Sequence, residues 1–332
     1  MSASIFMDLL RMVPVWHIGR RGDLDQRVEL AHCGEMSELR DDFSRLDTPS
    51  RMAAGLAGRA KALVYASVGL AVGLSWLVLA AMAHRVSQGA LPATQGPGAD
   101  LLAALPDLPL PAFLERFFAL CLSPLPAGDP VAEFLALLAM WFLMAVAMIL
   151  PTAAPMVRTY CEIADTAARK GEPVAHPLVL VAGYLGVWLI ASALFTALTV
   201  ALRQAGAVAG GLGPVEASVA ALALLLAGLY QFSRLKAACL EKCRNPFTVL
   251  FSRWSVRPAR ILRLGAEQGL WCLGCCWALM LVMFAVGLMN IFWMALLAVF
   301  SLVEKETAGS LPTRLAGAIL LVWAAVLLVV SW

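Results

Sequence analysis

Long apolar runs constrain this chain more than any other feature of its sequence. A helix needs about 20 mostly apolar residues to cross roughly 30 Å of hydrocarbon. With 61% hydrophobic and 14% charged residues, the chain also lies outside the composition of soluble domains. We therefore predict an all-α, polytopic membrane helix bundle. Five runs meet the length requirement: Ala62–Ala83, Val131–Leu150, Pro177–Leu202, Val215–Phe232 and Leu315–Trp332.

A sixth apolar run, Gly269–Val303, is too long for one simple crossing. As a continuous helix it would extend about 50 Å. Gly287 and Asn290 mark its one plausible break, but no proline or paired turn residues support a hairpin there. We therefore predict one tilted or bent helix and six transmembrane helices in all. Seven is the alternative, if the run divides into two short helices.

Lysine and arginine residues predict the orientation, because cytoplasmic loops carry an excess of them. The segment before the first run and the segment from Arg234 to Arg263 are rich in both, whereas loops 85–130 and 203–214 hold few. We expect a cytoplasmic N-terminal extension (1–61), then a bundle (62–332) with an external loop (86–130) and a cytoplasmic loop (233–263). The external loop contains an amphipathic piece near Pro111–Leu122. Six crossings would return the C-terminus to the cytoplasm.

Two other classes of protein are disfavoured by the sequence. No cleavable signal peptide is expected, because Asp8 and Arg11 interrupt the apolar stretch near the N-terminus. A net charge of +3 gives no basic face for nucleic acid, so no nucleic-acid partner is expected. The expected surrounding is the lipid bilayer, because of the long apolar runs. The oligomeric state stays open.

Three cysteines, Cys272, Cys275 and Cys276, form the most specific motif. Spacings of three and four place their thiols on one patch of a helix, close enough to share a metal ion. Soft thiolate and thioether ligands select Cu(I) or Zn(II). A disulfide is disfavoured, because the predicted orientation puts the cluster near the cytoplasmic end, where thiols stay reduced.

Further sulfur groups are predicted near the same depth. If Gly269–Val303 is one helix, the face that carries Cys272 continues through further polar and thioether side chains. We expect that face to line an onward path for the metal ion. Cys239 and Cys243, four apart, are predicted to face one way as exposed capture ligands. The spacing leaves a packing seam with incidental thiols as the alternative. The remaining candidates are Met140, Met144, Met148 and Met156 around the bend expected at Pro151, with Met283, Asn290 and Met294 on the long run.

Four stretches together resemble a known family. They are Met140–Met156, Tyr230–Pro246, Gly269–Met294 and the pair Glu304–Lys305. They are similar to the bacterial family described as predicted metal-binding integral membrane proteins, over roughly Ala62 to Trp332. One departure is that Ile149 follows Met148 where the family tends to have two adjacent methionines. The resemblance implies a bacterial inner membrane protein with a soft-metal site.

Three functions remain open from the sequence. The leading hypothesis is a membrane protein that binds copper as Cu(I), with zinc as the alternative. It would receive, store or translocate the ion, or supply it to a membrane metalloenzyme, and its expected partner is a metallochaperone or such an enzyme. The second is a membrane-embedded redox enzyme that uses a metal or the neighbouring thiols. The third is a non-catalytic assembly partner whose sulfur groups are structural. For Glu304 and Lys305, an ion pair, interfacial anchors and a site gate are all possible.

Overall fold

The computed structural model describes residues 48–89, 111–122, 129–171, 173–208 and 212–330, and gives side-chain environments from residue 62 onward. Residues 1–47 of the predicted extension and most of loop 86–130 lie outside the described residues, and residues 48–61 of the extension are the start of α1. Residues 57–332 form one compact unit. The described helices are α1 (Thr48–Gly89), α2 (Ala112–Leu122), α3 (Pro130–Ile149), α4 (Ala154–Arg169), α5 (Pro177–Gln204), α6 (Ala217–Gln231), α7 (Arg234–Arg244), α8 (Pro246–Ser252), α9 (Pro258–Val286), α10 (Ile291–Glu306) and α11 (Leu311–Val330).

Within the described part of the chain, five stretches of helix are long and apolar enough to cross a membrane, which is compatible with a multi-pass membrane protein. They lie in α1, in α3 with α4, and in α5, α9 and α11. A sixth candidate is α6 with α7, which pass the test together but are bent by 65°. The outward faces are apolar: on α5, Ile190 and Leu194 are 66% and 67% exposed. The prediction of an all-α bundle is confirmed in fold class.

The second apolar run bends where Pro151 predicts it. Asp129 caps α3 by accepting the Val131 amide at 2.9 Å. The helix ends at Ile149, and a 3₁₀ turn over Leu150–Ala153 contains the proline. Proline removes an amide donor and clashes with the preceding turn, so a tighter turn replaces the α-helix there. The piece expected near Pro111–Leu122 is also helical, as α2.

The Gly269–Val303 run is two helices, which corrects our prediction of one. Gly287 adopts φ +94°, which glycine tolerates, and Asn290 caps α10 by accepting the Trp293 amide at 3.3 Å. α10 folds back antiparallel along α9, bringing Lys305 to Cys272. The predicted continuation of the Cys272 face through Asn290 and Met294 is therefore also wrong, because it assumed an unbroken helix. The two-helix alternative is the one the structure shows.

Glycines let α5 and α9 pack backbone to backbone. A Cβ on Gly183 would overlap the Leu262 carbonyl, and one on Gly265 would overlap the Leu180 carbonyl. Small residues permit such close approach between membrane helices, where there is little hydrophobic drive for association. Tyr184, next to one of these glycines, is thereby held against the cysteine-bearing turn of α9.

Candidate metal centre

The three α9 cysteines converge as their spacing predicts. Their Sγ atoms all lie within 4.8 Å of one another, and the side chains of Cys272, Cys275 and Cys276 are 1%, 0% and 0% exposed. The Cys275 and Cys276 sulfurs are 3.2 Å apart. A metal–thiolate bond of about 2.3 Å lets one ion join two sulfurs up to about 4.6 Å apart. The cluster is thus compatible with metal binding.

A fourth thiol comes from a different helix. Cys243, near the end of α7, places its Sγ 3.9 Å from the Cys275 Sγ. Unlike the α9 thiols, Cys243 is only partly buried. Of these four thiols, Cys243 is partly accessible and the other three are enclosed. This arrangement allows an ion to move between an accessible thiol and enclosed ones.

Two polar side chains contact the Cys272 sulfur. The Tyr184 hydroxyl on α5 donates to it at 2.9 Å, and the Lys305 ammonium on α10 approaches it at 3.0 Å. Lys305 also donates to the Thr152 hydroxyl at 2.6 Å, in the 3₁₀ turn. A buried ammonium needs such partners, and it would balance the negative charge of a metal-binding thiolate.

A buried ion pair lies on the other side of Cys275. The Lys236 ammonium of α7 is 2.9 Å from a Glu304 carboxylate oxygen on α10, and both side chains are 0% exposed. Lys236 also donates to the Cys275 carbonyl at 3.1 Å, and the Thr313 hydroxyl donates to Glu304 at 2.7 Å. These bonds tie α7, α9, α10 and α11 together around the cluster.

Glu304 and Lys305 therefore have separate partners and are not paired with each other. Both are buried, at 0% and 9% exposed, so neither is an interfacial anchor. Lys236, the ion-pair partner of Glu304, lies in α7. The sequence indicates this helix only as part of a basic segment.

Cys239 differs from the prediction of an exposed capture ligand. It is 3% exposed, and its sulfur fills the notch that Gly274 leaves on α9. The Tyr230 hydroxyl donates to the Gly274 carbonyl beside it. The two α7 cysteines therefore contact different parts of α9, Cys239 at the glycine and Cys243 at the thiol cluster.

The predicted methionine ligands are buried, and none of the hydrogen bonds to sulfur among the described residues involves them. They lie on four helices, α3, α4, α9 and α10. Burial places them inside the bundle without distinguishing ligands from packing residues. They are Met140, Met144, Met148, Met156, Met283 and Met294, all 5% exposed or less.

Comparison with models of known protein families gives a match over residues 138–327. The family is PpoB2, described as a copper chaperone, and the matched range covers more than half of the chain. The chain belongs to this copper chaperone family. No curated protein and no solved structure matches it.

The matched residues, 138–327, contain the whole candidate centre, from Met140 to Lys305, and begin beyond α1 and α2. This agrees with the metal-related resemblance seen in the sequence. Three residues that surround the cluster were not predicted from the sequence: Thr152, Tyr184 and Lys236. The available signals were a tyrosine in the middle of an apolar run and a lysine seven residues before Cys243 on one helical face.

Proposed function

We propose that this protein is a membrane-embedded copper chaperone that binds Cu(I) through Cys272, Cys275 and Cys276, with Cys243 as a fourth sulfur. The observation that carries the proposal is the meeting of these four sulfurs from two helices in a family described as a copper chaperone. Cu(I) is the soft ion that such ligands favour. Zn(II) is the alternative, because four thiolates also form a structural zinc site.

The proposed location is the bacterial inner membrane, with the N-terminus in the cytoplasm. Basic residues of α7 and of the segment after α8, such as Lys242 and Arg253, support a cytoplasmic position for the cluster end of the bundle. With α10 folding back along α9, we propose seven crossings in place of six, which puts the end of α11 outside. α10 has 16 residues and spans about 24 Å, and its Glu304 end is buried in the bundle.

We further propose that the buried methionines receive the ion from the thiols and pass it toward a metalloenzyme or another chaperone. α3 packs against α5 and α10, which both contact the cluster. Thioethers bind Cu(I) more weakly than thiolates do, and weak successive sites allow both entry and departure. Met144 and Met148 on α3 are the first candidates, followed by Met283 and Met294.

Metal analysis of the purified full chain tests the proposal. Wild-type protein, loaded with Cu(I) under reducing conditions and desalted, should retain copper, whereas Cys275→Ser with Cys276→Ser should lose most of it. Cys161→Ser, which removes a buried thiol of α4, is the matched control and should retain the wild-type amount. Unchanged copper in the double variant would refute the assignment.

The same preparations separate the other two hypotheses. If the protein retained zinc in preference to copper in competition with a Cu(I) chelator, the metal of the site would be Zn(II) and not Cu(I). Copper-dependent O₂ consumption or turnover of a thiol substrate would identify the redox enzyme. Absence of any bound metal in the wild-type protein would leave the thiols as structural groups.

A further inference from the structure

The three enclosed thiols need a point at which an ion can reach them. Cys272, Cys275 and Cys276 are no more than 1% exposed. A cavity of about 390 Å³ lies beside them, where the 3₁₀ turn, the end of α7 and the α10–α11 connection meet. Six of its lining residues frame the opening: Thr152, Pro155, Cys243, Arg244, Lys305 and Gly309.

Two of these residues stand between the cavity and the cluster. Cys243 lines the cavity and lies 3.9 Å from the Cys275 sulfur, while Lys305 lines it and lies 3.0 Å from the Cys272 sulfur. Of the two, only the thiol is a ligand for a soft cation, since an ammonium has no lone pair to offer. Cys243 is thus the first sulfur that an ion entering from the cavity meets.

Hydrogen bonds of Arg244 join two of the elements that line the cavity. The Arg244 guanidinium donates to the Glu304 carbonyl at 2.7 Å and to the Gly309 carbonyl at 2.9 Å, tying α7 to the α10–α11 connection. A cavity of this size falls in the range of small-ligand sites. It admits a tripeptide thiol or a single protruding cysteine loop, but not a folded domain.

We infer that Cys243 is the entry ligand of the chaperone, which takes Cu(I) from a thiolate carrier and passes it to Cys275. This inference rests on the proposed function. The carrier's copper–sulfur bond breaks as a bond from copper to the Cys243 sulfur forms, and the Cys243 proton goes to the departing carrier thiolate. Copper stays Cu(I) throughout, so no oxidant or reductant is needed. In a second exchange the bond from copper to the Cys243 sulfur breaks as a bond to the Cys275 sulfur forms, and the Cys275 proton goes to the freed Cys243 thiolate.

Cys239 provides the matched control on the same helix. Its sulfur lies at Gly274 and lines a different cavity, together with Leu270 and Trp271. The sequence assigns the two cysteines the same capture role, whereas the structure gives only Cys243 a sulfur contact with the cluster among the described residues. A serine at Cys239 should therefore leave copper entry unchanged.

Loading kinetics on the purified full chain test the inference. Cu(I) is supplied either as its glutathione complex or on a small soluble protein that holds it by two cysteines, and the rate and the final copper content are measured. Cys243→Ser should slow loading by about tenfold or more with at least one carrier, as expected for a lost transition-state contact. Its final copper content should fall much less than its loading rate, because the three α9 thiols remain, and Cys239→Ser should match wild type in both.

The outcomes separate this inference from the proposed function. Slowing with one carrier only identifies that carrier class as the donor. Unchanged rates with both carriers, or an equal loss of rate and final content, would overturn the entry role but leave the three-thiol site intact. Wild-type protein that takes up no copper would overturn both.

A second measurement does not depend on a variant folding. Brief treatment of the metal-free chain with iodoacetamide, followed by mass spectrometry, should label Cys243 before Cys272, Cys275 or Cys276. Protein labelled only there should load copper as slowly as the serine variant. Labelling of the α9 thiols first would overturn the inference.

Discussion

The buried Lys236–Glu304 pair is the contact whose removal should affect the bundle most. Its nitrogen and oxygen are 2.9 Å apart and neither side chain is exposed. At an effective dielectric constant of about 20, unit charges at this distance attract by about 6 kcal/mol. Most of that attraction offsets the cost of removing two charges from water. Removing one partner leaves the desolvation cost of the other charge without compensation.

We expect Lys236→Met and Glu304→Leu each to lower the free energy of unfolding by about 3–5 kcal/mol. The double variant replaces both charges with apolar side chains and should lose less than either single variant. The double-mutant cycle should therefore give a coupling energy of about 3 kcal/mol or more. Some loss will remain, because Lys236 also bonds to the Cys275 carbonyl and Glu304 to Thr313.

Equilibrium unfolding in mixed detergent micelles, followed by far-UV circular dichroism, measures the cycle. Arg158 and Glu162 are the control pair, with the same 2.9 Å separation but side chains that are 73% and 53% exposed. Exposed pairs contribute little, so their cycle should show no coupling beyond error. Equal coupling in both cycles, or single variants as stable as wild type, would refute the argument that this pair holds four helices together.

Three further predictions concern contacts of single residues. Tyr184→Phe removes the hydroxyl that donates to the Cys272 sulfur at 2.9 Å. The affinity for Cu(I), measured by chelator competition, should fall about 3- to 10-fold. Tyr160→Phe, whose hydroxyl bonds to a distant carbonyl, should leave the affinity unchanged. Gly265→Leu, at the tight α5–α9 contact, should cost about 2 kcal/mol or more of unfolding free energy, while Gly186→Ala, with open space around its Cβ position, should cost nothing. Burial raises the pKa of the Cys121 thiol to about 12. Its thiolate fraction at pH 9 is therefore very small, and the thiol should resist alkylation at that pH. Rapid alkylation of Cys121, detected by mass spectrometry, would contradict its burial.

Local sequence features predicted the elements of this fold well, because they depend on interactions within a few turns of helix. Apolar runs of membrane length became helices, and the proline at position 151 ended one of them. The Cys272, Cys275 and Cys276 spacing predicted a shared patch because helical geometry alone brings residues three and four apart together. No tertiary information was needed for any of these.

The partners of the cluster could not be predicted in this way. Lys305 reaches Cys272 only because the chain reverses at Gly287, and a single glycine inside an apolar run is compatible with a helix, a kink or a reversal. The different surroundings of Cys239 and Cys243 depend on the 65° bend between α6 and α7, which orients α7 across α9. Both features are set by packing between segments far apart in sequence.

The charges around the thiols indicate why the centre lies inside the bundle and not on its surface. Buried charges are costly, and well-packed apolar residues often serve stability equally well. Yet Lys305 touches the Cys272 sulfur, Lys236 bonds to the Cys275 carbonyl, and Glu304 holds Lys236 in place. Each charge thus fixes a cysteine, directly or through one neighbour, at the end of the bundle where Cys243 meets the cavity. The proposed copper-transferring site accounts for their shared position, because such a site needs sulfur ligands held at set distances and a purely structural helix contact does not.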